Sequence, residues 1–430
     1  MQSIAERRSL TELTEHFVPS PVASAAATHR HIALLLTDLN GGGVQKMTLS
    51  LAGGLIERGH SVTLVLYSAH GALRSQVPDG AAVRHLTRSA QVWARLGPLL
   101  ADPLGLPSLL RPVIFPKKPP PGLSFLRSLA QYLRHERPDA LISAAPSCNL
   151  AAVWAKRLSG ARTIVLVSEH TAPSKMLAKT STWRVRHLPP VMRRAYQQAD
   201  VIVAVSHGLG DDLADLTGIP RDRIRTVYDP VVGNGLTALA DEPLDHPWFA
   251  PGQPPVILTA GRLSAQKDFP TLLRAFARVR QSREARLVIL GAATDDTKTE
   301  VRQGRLLATA ASLGVASDVA LLGFVANPYA YMARAALFVL SSAWEGFGVV
   351  LAEAMACGCP VVSTDCVSGP AEILDGGRYG PLVPVGDDAA LAAAIQAVLD
   401  NPPDPELLRR RAKQFTVGLS VDGYLRALFG

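Results

Sequence analysis

Apolar residues in this chain come in short unbroken blocks. HIALLLTDL (31–39), HSVTLVLYS (60–68), DALISA (139–144), TIVLVSEH (163–170) and DVIVAVS (200–206) are largely aliphatic. Blocks of that kind belong to strands covered on both faces. Between the first two lie a glycine loop, NGGGVQ (40–45), and KMTLSLAGGLIERG (46–59), which has helical periodicity and ends at Gly59. Strand, loop, helix and strand make a βαβ unit, so the pattern predicts a parallel sheet with right-handed crossovers.

The pattern breaks at 234–255, NGLTALADEPLDHPWFAPGQPP, which is rich in Pro, Gly and acidic residues and reads as an interdomain linker. A second series follows: VILTAGR (256–262), ARLVILG (285–291), VALLGF (319–324), LFVLSS (337–342) and PVVSTD (360–365), with helices such as TLLRAFARVRQ and VVLAEAMACG between them. The expected fold is α/β, with two doubly wound, Rossmann-like domains facing each other across a cleft. The first would span 31–233 and the second 256–411. Residues 1–30 read as a tail, and 412–430 as a C-terminal helix crossing back to the first domain. Ligands of such sheets sit at the carboxyl ends of the strands. Residues 88–125 stand apart: they mix Leu, Trp, Phe and Ile with Arg95, Arg111, Lys117 and Lys118, and their prolines forbid one long helix. This stretch is either an insertion packed on its own domain or an element that grips a membrane surface or an acceptor.

Composition narrows the possibilities. The chain has 430 residues, 48% of them hydrophobic, enough for two packed domains. Its formal charge of +8 suggests an anionic partner. Only 6% of residues are aromatic and no basic run is interleaved with aromatics, which argues against a nucleic-acid reader. Cys148, Cys357, Cys359 and Cys366 match no usual zinc spacing and suit a reducing cytosol. There is no apolar leader and no run of the ~18 residues that a spanning helix needs. The expected location is cytoplasmic, with a peripheral position on the inner face of the membrane as a further expectation.

The candidate chemistry lies in two segments. In WEGFGVVLAEAMACGCPVV (344–362) a strand leads into a loop with Glu345, Gly346, Phe347 and Gly348, then a helix carrying Glu353. A carboxylate among residues so apolar needs a partner, and the hydroxyls of a ribose would supply one. The alternative places Glu353 on a solvent-facing stripe. The glycines let backbone amides approach an anion at the helix N-terminus. In GRLSAQKDF (261–269), Arg262 follows a strand directly and Lys267 precedes a helix. Two cations there could neutralise a diphosphate leaving group.

Together these segments resemble the retaining glycosyltransferases of family 4, which have the GT-B fold. Glu345 and Glu353 match the E-x7-E motif, Gly261, Arg262 and Lys267 match G-R-x(3–4)-K, and Gly41, Gly42 and Gly43 match the N-terminal glycine loop. The resemblance implies that Arg262 and Lys267 bind the donor diphosphate, Glu353 the ribose and Glu345 the transferred sugar. Gly346, Phe347, Gly348 and Val349 would offer backbone to the sugar or phosphates, and Gly42 and Gly43 would close over the donor. His170 resembles the histidine near the reacting centre, and Val325 sits where the base is contacted. SGPAEIL (368–374) is similar to a variant found in cell-surface polysaccharide enzymes. The family often has Asn where this chain has Asp229. The resemblance implies a hexose moved with retention from a UDP- or GDP-sugar to a saccharide or lipid-linked acceptor. No Asp-x-Asp occurs, so neither metal nor other cofactor is expected. Competing readings are a sugar-nucleotide epimerase of the same fold, a catalytically dead binding protein, and a nicotinamide-dependent oxidoreductase, whose G-x-G-x-x-G fingerprint is lacking.

Overall fold

The computed structural model describes residues 29–116, 119–178, 186–293 and 296–430. The tail through residue 28, together with Lys117 and Lys118, lies outside the described residues. Two parallel sheets organise the rest. The first holds β1 (His31–Leu36), β2 (Ser61–Leu66), β3 (Ala82–His85), β4 (Ala140–Ala144), β5 (Ile164–Glu169), β6 (Val201–Ala204) and β7 (Ile224–Thr226), in the order β3-β2-β1-β4-β5-β6-β7. The second holds β8 (Val256–Ala260), β9 (Arg286–Leu290), β10 (Val319–Gly323), β11 (Leu337–Leu340), β12 (Val361–Thr364) and β13 (Leu382–Val383), in the order β10-β9-β8-β11-β12-β13. Both are doubly wound Rossmann-like sheets. The order reverses beside β1, which pairs with β2 and β4, and beside β8, which pairs with β9 and β11. Those reversals open crevices at the strands' carboxyl ends.

The aliphatic blocks become the cores. Ile32 through Leu36 are at most 2% exposed, covered on one face by the Gly43–Glu57 helix. The C-terminal helix, Val417–Phe429, is capped by the Thr416 hydroxyl and buries Val421, Tyr424 and Leu428 against the first sheet's core. Arg58 pairs with Asp422 at 2.7 Å, and Arg225 donates to the Ala427 carbonyl at 3.0 Å. The chain therefore returns from the second sheet to cover the first.

Residues 234–255 are more ordered than their composition suggests. They contain a helix, Leu236–Asp241, that packs beside the Tyr329–Met332 turn. The Asn327 amide donates to the Leu239 carbonyl at 2.8 Å and to the Glu242 carboxylate at 2.7 Å. Phe249 meets Tyr331 edge-on at 5.5 Å. Its aromatic and amide partners dock this passage onto the second sheet's domain.

The 88–125 stretch forms a helix, Gln91–Ala101, followed by short turns at Pro103–Gly105, Leu106–Leu109 and Leu110–Ile114, with a last turn at Pro121–Phe125. Among the described residues no helix is long and apolar enough to cross a membrane. All four cysteines are buried and unpaired. Burial pushes the thiols of Cys148, Cys357 and Cys366 up to about 12, which suits small packing residues better than thiolate ligands. Among the described residues no three His, Cys, Asp or Glu side chains converge.

Candidate active site

Between the carboxyl ends of the two sheets lies a cavity of about 310 Å³. A hollow of about 630 Å³ at the opposite end of the first sheet, lined by Arg30, Arg134, Arg137 and Arg162, gathers no comparable chemistry. From the first domain, the smaller cavity receives Gly42, Gly43 and His170. From the second it receives Arg262, Lys267, Val325, Glu345, Gly346, Phe347, Gly348, Val349 and Glu353. Every candidate site residue read from the sequence thus lines one space.

Local conformation explains the loop after β11. Gly348 has φ +96°, a left-handed geometry that favours glycine, and it opens the Val349–Ala356 helix. The first amides of that helix lack intrahelical partners, and its end faces the cavity. Gly346 touches the other domain so closely that a Cβ there would lie 2.0 Å from the His170 carbonyl oxygen. Phe347 is 2% exposed, with its ring 5.2 Å from Tyr228 and 5.3 Å from Phe415, so it can present only backbone.

Glu353 is 5% exposed, which excludes the solvent-facing stripe. Its Oε1 accepts the Tyr329 hydroxyl at 2.8 Å. Burial pushes its carboxyl above the usual range, and the Lys46 charge, the Tyr329 hydroxyl and Lys267 oppose that shift. Lys46 was not singled out in the sequence. It lies one turn into the glycine-loop helix, three residues after Gly43, and that spacing is the signal which could have found it.

Lys267 is not a free cation. Its Nζ donates to Glu345 Oε1 at 2.5 Å, and the Ser342 hydroxyl donates to the same oxygen at 2.6 Å. Gln266 donates to Oε2 at 3.3 Å. The two motifs thus meet as a buried ion pair, and Glu345 is held by three donors. Arg262 is exposed, with no hydrogen-bond or ion-pair partner among the described residues, so its full charge is available to an incoming anion.

His170 has both ring nitrogens close to protein atoms. Nδ1 lies 3.1 Å from Asp229 Oδ1, an ion-pair distance without an aligned hydrogen bond, and Nε2 is 3.0 Å from the Ser168 hydroxyl. That hydroxyl is 3.1 Å from the Tyr424 hydroxyl of the C-terminal helix. Asp229, 4% exposed, also lines the cavity. The domains are joined nearby. The Ser206 hydroxyl donates to the Gly346 carbonyl at 2.7 Å, and Glu372 accepts the amides of His207 and Gly208, each at 2.8 Å, at the start of the His207–Thr217 helix.

Family models agree with this geometry. Residues 41–232 match the model described as Glycosyltransferase Family 4, and residues 242–415 match the one described as Glycosyl transferases group 1. The lipopolysaccharide core biosynthesis glycosyltransferase LpsE of Rhizobium meliloti is 31% identical over 245 residues, covering 56% of this chain and 67% of that protein. The chain belongs to glycosyltransferase family 4. Another relative of this family-4 chain is the N-acetylgalactosamine-N,N'-diacetylbacillosaminyl-diphospho-undecaprenol 4-alpha-N-acetylgalactosaminyltransferase of Campylobacter jejuni. It is 31% identical over 259 residues, which span 60% of this chain and 66% of that relative, just under two thirds of its length. The fold is that of Anabaena HepE in complex with UDP-glucose, with a TM-score of 0.68 and 19% identity, covering 93% of this chain and 100% of that one. The fold of this family-4 chain is GT-B.

Proposed function

We propose that this chain is a retaining, metal-independent glycosyltransferase. It moves a hexose-type sugar from a UDP- or GDP-sugar to a saccharide or lipid-linked acceptor in cell-surface polysaccharide synthesis, at the cytoplasmic membrane face. The observation that carries this reading is the shared cavity, where the unpaired Arg262, the amides opening the Val349–Ala356 helix and the buried Glu353 converge. The guanidinium and amides offset charge as it develops on the departing diphosphate. Glu353 accepts ribose hydroxyls, which offsets its cost of burial. Lys46, from the opposite wall, adds a cation when the donor is enclosed.

Glu345 bears on stereochemistry. A carboxylate engaged by Lys267, Ser342 and Gln266 is a poor nucleophile, and this supports a front-face route. In that route the acceptor oxygen bonds to the anomeric carbon on the side from which the phosphate oxygen departs, and its proton passes to the phosphate. The lipid-linked undecaprenol compound in the name of the Campylobacter relative and the lipopolysaccharide role in that of the Rhizobium relative support the acceptor class. The HepE complex with UDP-glucose supports a nucleoside diphosphate donor.

The test pairs thermal shift with product analysis. Uridine or guanosine diphosphate should raise the melting temperature, adenosine diphosphate should not, and chelator should leave that unchanged. Proton NMR of the product should show the donor's anomeric configuration. An inverted product, or turnover abolished by chelator and restored by magnesium or manganese, would falsify the mechanism.

A further inference from the structure

Of the fifteen large apolar side chains exposed among the described residues, seven fall between Val92 and Phe115. Four lie on the Gln91–Ala101 helix: Val92 at 53%, Trp93 at 39%, Leu96 at 45% and Leu100 at 61% exposure. Spacings of three and four residues put them on one side. The other side is also apolar: Ala94, Gly97, Pro98 and Ala101 are buried against the domain. Apart from Gln91 and Arg95 the helix is thus apolar on both sides, although only its inner side is covered. Beyond it, Leu104 is 84% exposed and Phe115 67%.

The sequence that carries and flanks this surface is strongly basic. Residues 88–135 and 171–199 together carry 13 Lys and Arg against one carboxylate, Asp102, so the rest of the chain has a net charge of −4. Asp102 is itself 4% exposed and neutralised by Arg194. The two stretches are neighbours, because the Leu188–Tyr196 helix packs against the Leu106–Leu109 turn. The Arg127 guanidinium lies 5.0 Å from the centre of the Trp93 ring. Among the described residues, Arg88 over the Phe125 ring, Arg95 on the Pro116 carbonyl, Arg111 beside His187 and Arg127 over Trp93 thus border one exposed apolar face.

The face also lies at the functional end of the molecule. The insertion leaves from β3 and returns through Pro121–Phe125, where Phe125 stacks on Tyr67 at 4.3 Å and Gly122 abuts Ser147. Tyr67 and Ser147 follow the carboxyl ends of β2 and β4, the end of the sheet at which the glycine loop and His170 meet the cavity.

We propose that the Gln91–Phe115 surface seats the protein on an anionic phospholipid bilayer. Its aliphatic side chains enter the headgroup boundary while the surrounding arginines contact lipid phosphates. A nucleic acid would call for stacking rings, whereas this face is mainly aliphatic. The inference deepens the lipid-linked acceptor reading above and rests on it: an acceptor anchored in the bilayer would meet the cleft from the first domain's side.

The experiment floats the full chain with vesicles of phosphatidylethanolamine and phosphatidylglycerol, with phosphatidylcholine vesicles as control. The protein should float with the anionic vesicles, less so at high salt. L100S/L104S/F115S should weaken partition at least about tenfold, with unchanged melting temperature and unchanged uridine or guanosine diphosphate binding. Brominated lipid should quench part of the tryptophan emission, and Trp93→Phe should abolish that part. Equal flotation of the variant, no flotation of the wild type, or no Trp93-dependent quenching would overturn the proposal. So would a dimer broken by the same substitutions, or RNA binding at this face without vesicle binding. Vesicle binding without any nucleoside diphosphate binding would instead sink the transferase reading and leave the docking surface standing.

Discussion

Replacing Lys267 with methionine separates what this residue does for the fold from what it does for the reaction. Its ammonium is 2.5 Å from Glu345 Oε1, and the two side chains are only 14% and 8% exposed. Methionine keeps most of the stem but strands a buried carboxylate. Removing one partner of such a pair costs about 3–5 kcal/mol. The low end applies here, since Ser342 and Gln266 still donate to the carboxylate. For a unit of ~150–250 residues, about 3 kcal/mol lowers the melting temperature by roughly 6–12 °C. Adding Glu345→Gln removes the stranded charge and leaves an oxygen for Ser342, so the double variant should recover about 2 kcal/mol. Donor turnover should not recover. Each variant should lose at least about tenfold in kcat/KM, or 1.4 kcal/mol of transition-state stabilisation. Differential scanning fluorimetry and a nucleotide-release assay read the two quantities separately. If K267M costs under ~1 kcal/mol, or the double variant melts no higher than the single, the ion pair is not the buried unit described here.

Three further outcomes are expected. Glu353 has its carboxyl pKa raised mainly by burial, so it favours folding while protonated at low pH and loses that contribution as pH rises through its folded pKa. E353Q should therefore melt higher than wild type at pH 8 but not at pH 4, while its affinity for the nucleoside diphosphate falls, as titration calorimetry would show. Glu169 is wholly buried, with a pKa pushed up to about 7 by burial against the opposing hydrogen bonds of Tyr196 and Asn149. The same sign holds over the window from ordinary carboxylate values to 7, so E169Q should stabilise by roughly 3 kcal/mol at pH 8 and negligibly at pH 4, read from urea midpoints at the two pH values. Gly346→Ala would drive a methyl into the His170 carbonyl. Turnover should fall at least about tenfold and the radius of gyration should grow in small-angle scattering, and an unchanged profile would contradict the packing described.

Legibility from sequence followed burial. β1, β2, β4, β5, β6, β8, β9, β11 and β12 lie inside their sheets and show as aliphatic blocks, and β10, although an edge, still carries the apolar run Val-Ala-Leu-Leu. β3 reads Ala-Val-Arg-His with all four residues exposed on an edge, so no alternation or apolar run announces it. β7 and β13, also edges, have three and two residues, too few for a period to be seen. Within the site, Glu353 stood out because a lone carboxylate among apolar residues demands a partner. Which partner was hidden, since Tyr329 is 24 residues away in an unremarkable segment. The Lys267–Glu345 pair joins groups 78 residues apart, and nothing local distinguishes a paired lysine from a free one. Asp229 was visible only as a departure from a family habit, while its approach to His170 depends on how β5 and the passage after β7 come together.

The return of the chain to its first sheet has a mechanical consequence. Both covalent passages between the domains run side by side: the amides of Val231 and Val232 donate to the Phe415 carbonyl at 3.1 and 3.0 Å, and the Val417 amide donates back to Val232 at 3.1 Å. Two tethers fastened together at one margin act as the spine of a book. The halves can swing about that line, but twisting or sliding would strain both tethers at once. Opening would first release the fastenings nearer the pages, Glu372 from the His207 and Gly208 amides and the Gly346 carbonyl from the Ser206 hydroxyl, while the binding at Phe415 holds. A swing about that line would be the motion that leaves both tethers least strained.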